Sequence, residues 1–592
     1  MEDSPKDHKI AGLPELQPAA VGISPGKRRA FQTKYALEGV FTSAEIAMKR
    51  TNNHLSVILA VMILALLLEG CDNDTLFNPP PTITTAPVIT LSANQNTPLA
   101  ATLTLSTDTD TRVTLHTSDE VNSWTVNYGS VARMHTLPVR WLHPNRTHSF
   151  TVTVSNSSGE SSVALTDTLT TAPLPANFPL LDITVHDVSQ MEAGFTLFAP
   201  ILTPTAYIIA VDTFGEVAWF LNFTESDVFD LRLLDNGHLL FNRQPCRNFE
   251  VDLDGNIIAS WNANLATTHP ACNGTLLDSV TLPIESTHHE VLEMPSGNLL
   301  TLSWGDVTGV NYPISESSDL GTSLQTIRED IVVEFARDGT IIRQHHMADI
   351  LDPTRIGYDS VDGANDNDWT HGNGIIYDSR DNSYIFSARH QDAIFKFNRD
   401  TGDLVWILGT PGGWNQPWLS KVLIPTNFSG SGYSWHQHAP EITPEGNIII
   451  FDNGNFRARP YGSKLPAGFN YSRAVEYSID ETTMGVTQVW AYGSPTTSVD
   501  GDYTPFIGDA DVLPNTGNVL ITFGGITRTR DTGVATDSTV GSAHNARIVE
   551  VTHTTIPEKV FEIYCGTLDH TDSNDCLIYR AEHISSLVPK HQ

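Results

Sequence analysis

From residue 81 to the C-terminus, short runs of alternating apolar and polar residues are separated by Gly, Pro, Asn and Asp turn signals. Alternation with period two sends successive side chains to opposite faces of a strand, so the pattern predicts an all-β chain. It changes character once. Over 81–169 the runs "PVITLSA", "AATLTLST", "RVTLHTS", "SWTVNYG", "RMHTLPV", "THSFTVTVSN" and "SVALTDTLTT" are short and closely spaced, as in a small Ig-like β-sandwich. The Pro-rich stretch "TTAPLPANFP" (170–179) reads as a linker.

Beyond the linker the alternation repeats in larger units. "LRLLDNGHLLFN", "HEVLEMPSGNLLTLSW", "GIIYDSRDNSYIFSARH", "APEITPEGNIIIFDNGN" and "ADVLPNTGNVLITFGG" share one plan: strand, tight turn, strand, then a second hairpin. With the lead-in from Phe195 to Asn222 they make six units of about four strands over 180–592, the signature of a six-bladed β-propeller. A count of five or seven stays open. In the preceding domain, "LHPNRTHSFTVTVSNSSGES" resembles the fibronectin type III pattern, with His148 where an aromatic corner residue is expected.

Charge narrows the function. The chain has 592 residues and a formal net charge of −34, which excludes a nucleic-acid partner, because phosphate requires a basic face. At the N-terminus, "MKRTNNHLSVILAVMILALLLEGC" (48–71) sets two basic residues before an apolar run from Leu55 to Leu68, the plan of an export signal. Its end resembles a lipobox, so Cys71 is the candidate lipidation site and a membrane attachment through it is expected. Residues 1–47 read as an upstream extension outside the native domains, and 72–80 as a tether. The protein is expected to be exported, periplasmic and lipid-anchored. Cys246, Cys272, Cys565 and Cys576 then suit disulfides, with 246–272 and 565–576 favoured by proximity among three pairings. Nothing in the sequence reveals an oligomeric state.

The turn asparagines serve as a ruler for the chemistry. Nine residues before Asn298, Asn382 and Asn447 stand His289, Asn373 and His438. Two residues further upstream stand Thr287, His371 and His436, and Arg389 follows Asn382 by seven. Equivalent positions on successive blades surround one channel, so these polar residues are expected to converge at its mouth. Three histidines could hold zinc, but an arginine and an amide aimed at the same place favour an anion: a sulfate, phosphate or carboxylate. The acidic loop 359–369 misses calcium-loop spacing and is expected to be solvated.

At the level of whole motifs, "DWTHGNGIIYD", "YIFSARHQDAIFKF", "GDLVWILG", "WHQHAPEITPEGNIIIFDNGN", "HHEVLEMPSGNLL" and "YSRAVEYSID" resemble the signature blocks of the bacterial arylsulfate sulfotransferases. That resemblance implies a six-bladed propeller, no cofactor, a phenolic sulfate donor, a phenol acceptor, and a histidine that carries the sulfuryl group between them. Carried over residue by residue, the nucleophile is His438, with His371, Asn373 and Arg389 beside it and the early histidine in the pair His288/His289. His289 or His371 would serve as general acid and then base. His436 and His288 are candidates for substrate binding, although the family block assigns His436 no role. The alternatives are a non-catalytic ligand- or protein-binding propeller and an aryl sulfate hydrolase.

Overall fold

The alternation is realised as strands nearly throughout. In this computed structural model the described residues are 79–201, 206–223, 228–267, 279–362, 367–429, 432–493, 502–566 and 575–588, and 79–592 form one compact unit. The expected extension, export signal and most of the tether lie outside them, as do Cys71 and Cys272.

The described chain is all-β. Its first sheet is built around one long strand, Ala100–Ser118, which pairs antiparallel with Ile83–Leu91, Ser123–Asn127, Ala132–Arg140 and Thr147–Ser155. "AATLTLST" and "RVTLHTS" are therefore one strand where two were expected. The exposed "DTD" between them interrupts the pairing register between Ser106 and Thr111 without ending the strand. Leu103, Val152, Ile209 and Phe561 belong to a single buried cluster, so this sheet shares its core with the rest of the chain. At that junction His143 is buried between Asp119 (Nδ1 to Oδ2, 2.6 Å) and Asp212 (Nε2 to Oδ2, 2.7 Å).

The remaining strands form six sheets of four or five strands, each built on a run of four antiparallel strands, with a short parallel edge strand added in three of them. Their leading strands are Leu577–Ile584, Phe229–Leu233, His288–Glu293, Gly372–Asp378, His438–Ile442 and Asp509–Val512. These six touch one another in a closed cycle, with Leu577–Ile584 contacting both Phe229–Leu233 and Asp509–Val512. Strands from both ends of the 180–592 segment help to close it. Leu181–His186 adds to the last sheet beside Lys559–Cys565, and Leu577–Ile584 adds to the first beside Phe195–Ile201. Closure removes the exposed sheet edges that an open array would leave. Cys565 and Cys576 are joined in a disulfide just before that closing strand. Cys246 is buried and disulfide-bonded.

The leading hairpins turn where the sequence placed them, on left-handed residues: Gly237 (φ 83°), Gly297 (81°), Gly446 (86°) and Gly517 (72°), with Asn382 (58°) in the fourth sheet. Asn382 thus takes the place of a glycine, not of Asn298 or Asn447. Its turn, between the paired residues Asp378 and Ser383, is one residue shorter than those of the neighbouring sheets.

Buried charge fills the space enclosed by the leading strands. Arg232 and Arg580 lie among Asp230, Glu290, Glu441 and Asp509. Arg232 bonds Glu290 at 2.7 Å, and Arg580 Nε stands 3.1 Å from Asp230 Oδ1. Isolated charges could not be buried here at acceptable cost, and the mutual pairing offsets their desolvation.

Candidate active site

The site forms where the leading strands of the third, fourth and fifth sheets depart from regular pairing. Bulges lie between His288 and Val291, between Gly372 and Gly374, and between His438 and Glu441. His289 (φ 58°), His371 (45°), His436 (52°) and Ala439 (47°) are all left-handed. Bulges re-aim side chains, and here they correct the ruler. By pairing, His438 opposes Phe451 as His288 opposes Leu302, so His438 is equivalent to His288 rather than His289. Asn373 occupies the bulge of the shorter-turned fourth sheet.

His438 is buried. Its Nδ1 lies 2.7 Å from Asn453 Oδ1, and the Asn453 amide nitrogen donates to the carbonyls of Thr504 (2.8 Å) and Ile507 (2.9 Å). Those two carbonyls fix which end of the amide is oxygen, so His438 must donate from Nδ1 and hold its lone pair on Nε2. The Ile507 N–H approaches that lone pair at 3.3 Å. Burial first, and the Arg389 charge second, hold the ring well below the ordinary histidine pKa. The result is a neutral imidazole with a defined nucleophilic nitrogen.

The other expected residues gather around it. Asn373 Nδ2 donates to the carbonyl of Gln437 at 2.8 Å, while its buried Oδ1 has no hydrogen-bond partner. Arg389 lies just past the end of the strand Ser383–Ala388 and bonds His390 Nε2 (2.7 Å) and the carbonyl of Pro505 (3.2 Å). His289 and His371 have ring centroids 5.1 Å apart, and His371 and His390 4.5 Å. His371 Nδ1 is 2.5 Å from Asp368 Oδ2, which leaves its Nε2 as the nitrogen able to meet a ligand.

Two candidates stand one layer back. His436 has Nδ1 on Asp392 (2.8 Å) and Nε2 3.4 Å from Asp359, and Phe456 packs edge-on against it. Burial and Arg389 oppose its protonation, but the two carboxylates outweigh them and raise its pKa. His288 is buried behind His289, with its Nδ1 2.8 Å from that ring's Nδ1 and its face stacked on Trp304.

Several site residues were not singled out by the sequence. Two carboxylates of the acidic loop expected to be solvated, Asp359 and Asp368, keep part of their surface in solvent yet reach the site's histidines. Burial would raise the Asp359 and Asp368 pKa values, yet the facing His436, His371 and His390 and the Arg389 charge hold both well below the carboxylate range. His390 sits beside Arg389 and donates from Nδ1 to the Asp368 carbonyl at 2.6 Å. Asp392, 44 residues from His436, and Asp330 on the strand Thr322–Phe335 complete the carboxylates. Asn453 lay inside the quoted block "IFDNGN", its role hidden until the hairpin folds back.

Asp368, His371 and His390 could supply three metal-ligating atoms within 4.8 Å of one another. All three are already engaged with one another, and the guanidinium at 2.7 Å from His390 makes the region hostile to a further cation. The Arg389 guanidinium beside a neutral His438 suits a tetrahedral oxyanion instead.

Comparison with known proteins agrees with that chemistry. Residues 183–572 match the family model described as Arylsulfotransferase (ASST). The chain is similar to the arylsulfate sulfotransferase AssT of Escherichia coli O6:H1 (strain CFT073), with 28% identity over 386 residues, 54% of this chain and 60% of that one. The protein of the same name from Lelliottia amnigena is 28% identical over 408 residues, 57% of this chain and 63% of that one. The matched stretch thus spans less than two thirds of either relative. With a family model matched over more than half its length, the chain belongs to the arylsulfotransferase family.

Proposed function

We propose that the protein transfers a sulfuryl group from a phenolic sulfate ester to a phenol, in two steps through a sulfated His438. The observation that carries this reading is the Asn453 amide, which leaves His438 neutral with its lone pair on Nε2 in a site that also holds the Arg389 charge. A sulfuryl group, like a phosphoryl group, transfers in line with charge spread over three equatorial oxygens, so positioning and donors do most of the work. His438 Nε2 attacks sulfur while the S–O bond to the aryl group breaks and the phenoxide leaves. Arg389 is the candidate donor to the sulfuryl oxygens, with the His371 ring beside it, and His289 supplies the proton to the phenoxide. In the second step the acceptor phenol loses its proton to the same group and attacks sulfur, releasing His438.

The six sheets, joined in a cycle by their leading strands, support a six-bladed β-propeller preceded by a fibronectin-like sandwich. The segment 48–71 supports export and lipid attachment at Cys71. Initial rates with nitrophenyl sulfate and a varied phenol test the two-step reading. Parallel double-reciprocal lines are expected. Intersecting lines would contradict it, and nitrophenol release indifferent to added phenol would favour a hydrolase.

A further inference from the structure

The two half-reactions need a place to take a proton from and return it to, and a third-sheet cluster behind His289 has the form of one. His288 Nδ1 and His289 Nδ1 are 2.8 Å apart, so one of the two must donate and the other accept. On the far side of the same ring, His288 Nε2 stands 3.3 Å from Asp330 Oδ1, without the alignment of a formed hydrogen bond. Distances of this kind tighten when substrate closes a site. Asp330 Oδ2 accepts from the Thr370 hydroxyl (2.6 Å) and the Gly372 N–H (2.5 Å). Gly372 has to be glycine for that approach, since a Cβ there would lie 2.7 Å from Asp330 Cγ and 2.5 Å from Phe386. The stack on Trp304 holds the His288 ring in the plane of the chain of contacts.

We propose, on the basis of the sulfotransfer reading above, that Asp330 and His288 form a proton relay that arms His289 as acid in the first half-reaction and as base in the second. At rest the proton is on Asp330, facing His288 Nε2; His288 donates from Nδ1 to His289 Nδ1, and His289 presents Nε2–H to the substrate. As the phenoxide leaves, it takes the His289 Nε2 proton. The Nδ1 proton of His288 moves to His289 Nδ1, and the Asp330 proton moves to His288 Nε2. One proton has left, one negative charge remains on Asp330, and neither ring has passed through an imidazolium. That suits two rings whose pKa values desolvation holds low, His288 at about 3. It also suits a carboxyl that burial, with the Asp368 charge second, raises to about 7, while the Thr370 and Gly372 donors stabilise the carboxylate once it forms. His289 Nε2 then carries a lone pair, and the acceptor phenol reverses every shift.

The test compares donors. Phenyl sulfate releases a phenol with a pKa of about 10 that needs the proton, and 4-nitrophenyl sulfate releases a far more acidic one that barely does. In Asp330→Asn and His288→Gln, the rate of the phenol-release burst is expected to fall at least tenfold more with phenyl sulfate than with the nitrophenyl ester. Equal losses with both donors would overturn the relay, because a merely structural change slows both alike. The wild-type protein supplies an independent readout whatever the variants do: a curved dependence of the phenyl sulfate rate on D₂O fraction is expected from several protons in flight, and a linear one would overturn the relay. If the wild-type protein forms no sulfo-His438 with either donor, the sulfotransfer reading fails and takes the relay with it. If it does and the donor ratio is unity, only the relay fails.

Discussion

Replacing Asn453 with alanine isolates the feature on which the nucleophile depends. Asn453 touches no substrate in this account; it holds His438 in one tautomer and one orientation. Its loss removes three hydrogen bonds of 2.7, 2.8 and 2.9 Å. The Thr504 carbonyl keeps the Ser472 hydroxyl at 3.3 Å, so the groups left without partners are the Ile507 carbonyl and the His438 Nδ1–H. At roughly 1–3 kcal/mol for each buried orphan, the variant should lose about 2–6 kcal/mol of stability, read as a lower urea midpoint at unchanged m. The catalytic loss should be larger than one hydrogen bond implies. A ring free to turn places its Nε2 off line, and a misplacement near 1 Å costs on the order of 10²-fold. Stopped-flow release of nitrophenol at saturating donor should therefore slow by about 10²-fold, with KM changed much less. A folded Asn453→Ala protein whose burst is within about threefold of wild type would refute the tautomer argument.

Three further outcomes follow from other parts of the structure. Arg389→Lys keeps the charge but loses the planar fork, so kcat for nitrophenyl sulfate should fall by about 10²-fold; an unchanged rate would remove Arg389 from the donor set. Because burial and Arg389 depress the His438 pKa, the nucleophile stays neutral as pH falls through the ordinary histidine value, and the nitrophenol burst should hold its rate from pH 7.5 to 5.5. A loss centred near 6.5 would contradict it. His143 behaves oppositely: burial lowers its pKa, but Asp212 and Asp119 outweigh that and raise it. Its contribution to stability is complete below about 6.5 and is lost as pH rises through the raised folded value, so the urea-midpoint advantage of wild type over His143→Gln should shrink from pH 6 upward. An advantage that grows with pH would show that His143 is neutral in the fold.

Local periodicity carried most of the architecture. Alternation and Gly/Asn turns located nearly every hairpin, because strand faces and left-handed turns are written in consecutive residues. It failed where continuity is a tertiary matter: Ala100–Ser118 crosses an exposed polar stretch that reads as a break. The turn ruler brought His289, Asn373 and His438 to the same region but misjudged their equivalence. A four-residue turn and the bulges at His288 and His438 shift the pairing in ways that counting cannot detect. The carboxylates were the least legible. Asp330, Asp359 and Asp392 reach their histidines across the fold, and in a chain with 68 acidic residues nothing marks those three, whereas Asp368 stands three residues before His371 in a quoted block.

The central claim is that His438 Nε2 carries the sulfuryl group, and intact-protein mass spectrometry tests it most directly. After brief exposure to nitrophenyl sulfate without acceptor, the protein should be about 80 Da heavier, with the adduct on His438, absent from His438→Ala, and discharged on adding phenol with sulfation of that phenol. A folded wild-type protein that transfers sulfate while showing no adduct, or showing it on another residue, would contradict the account.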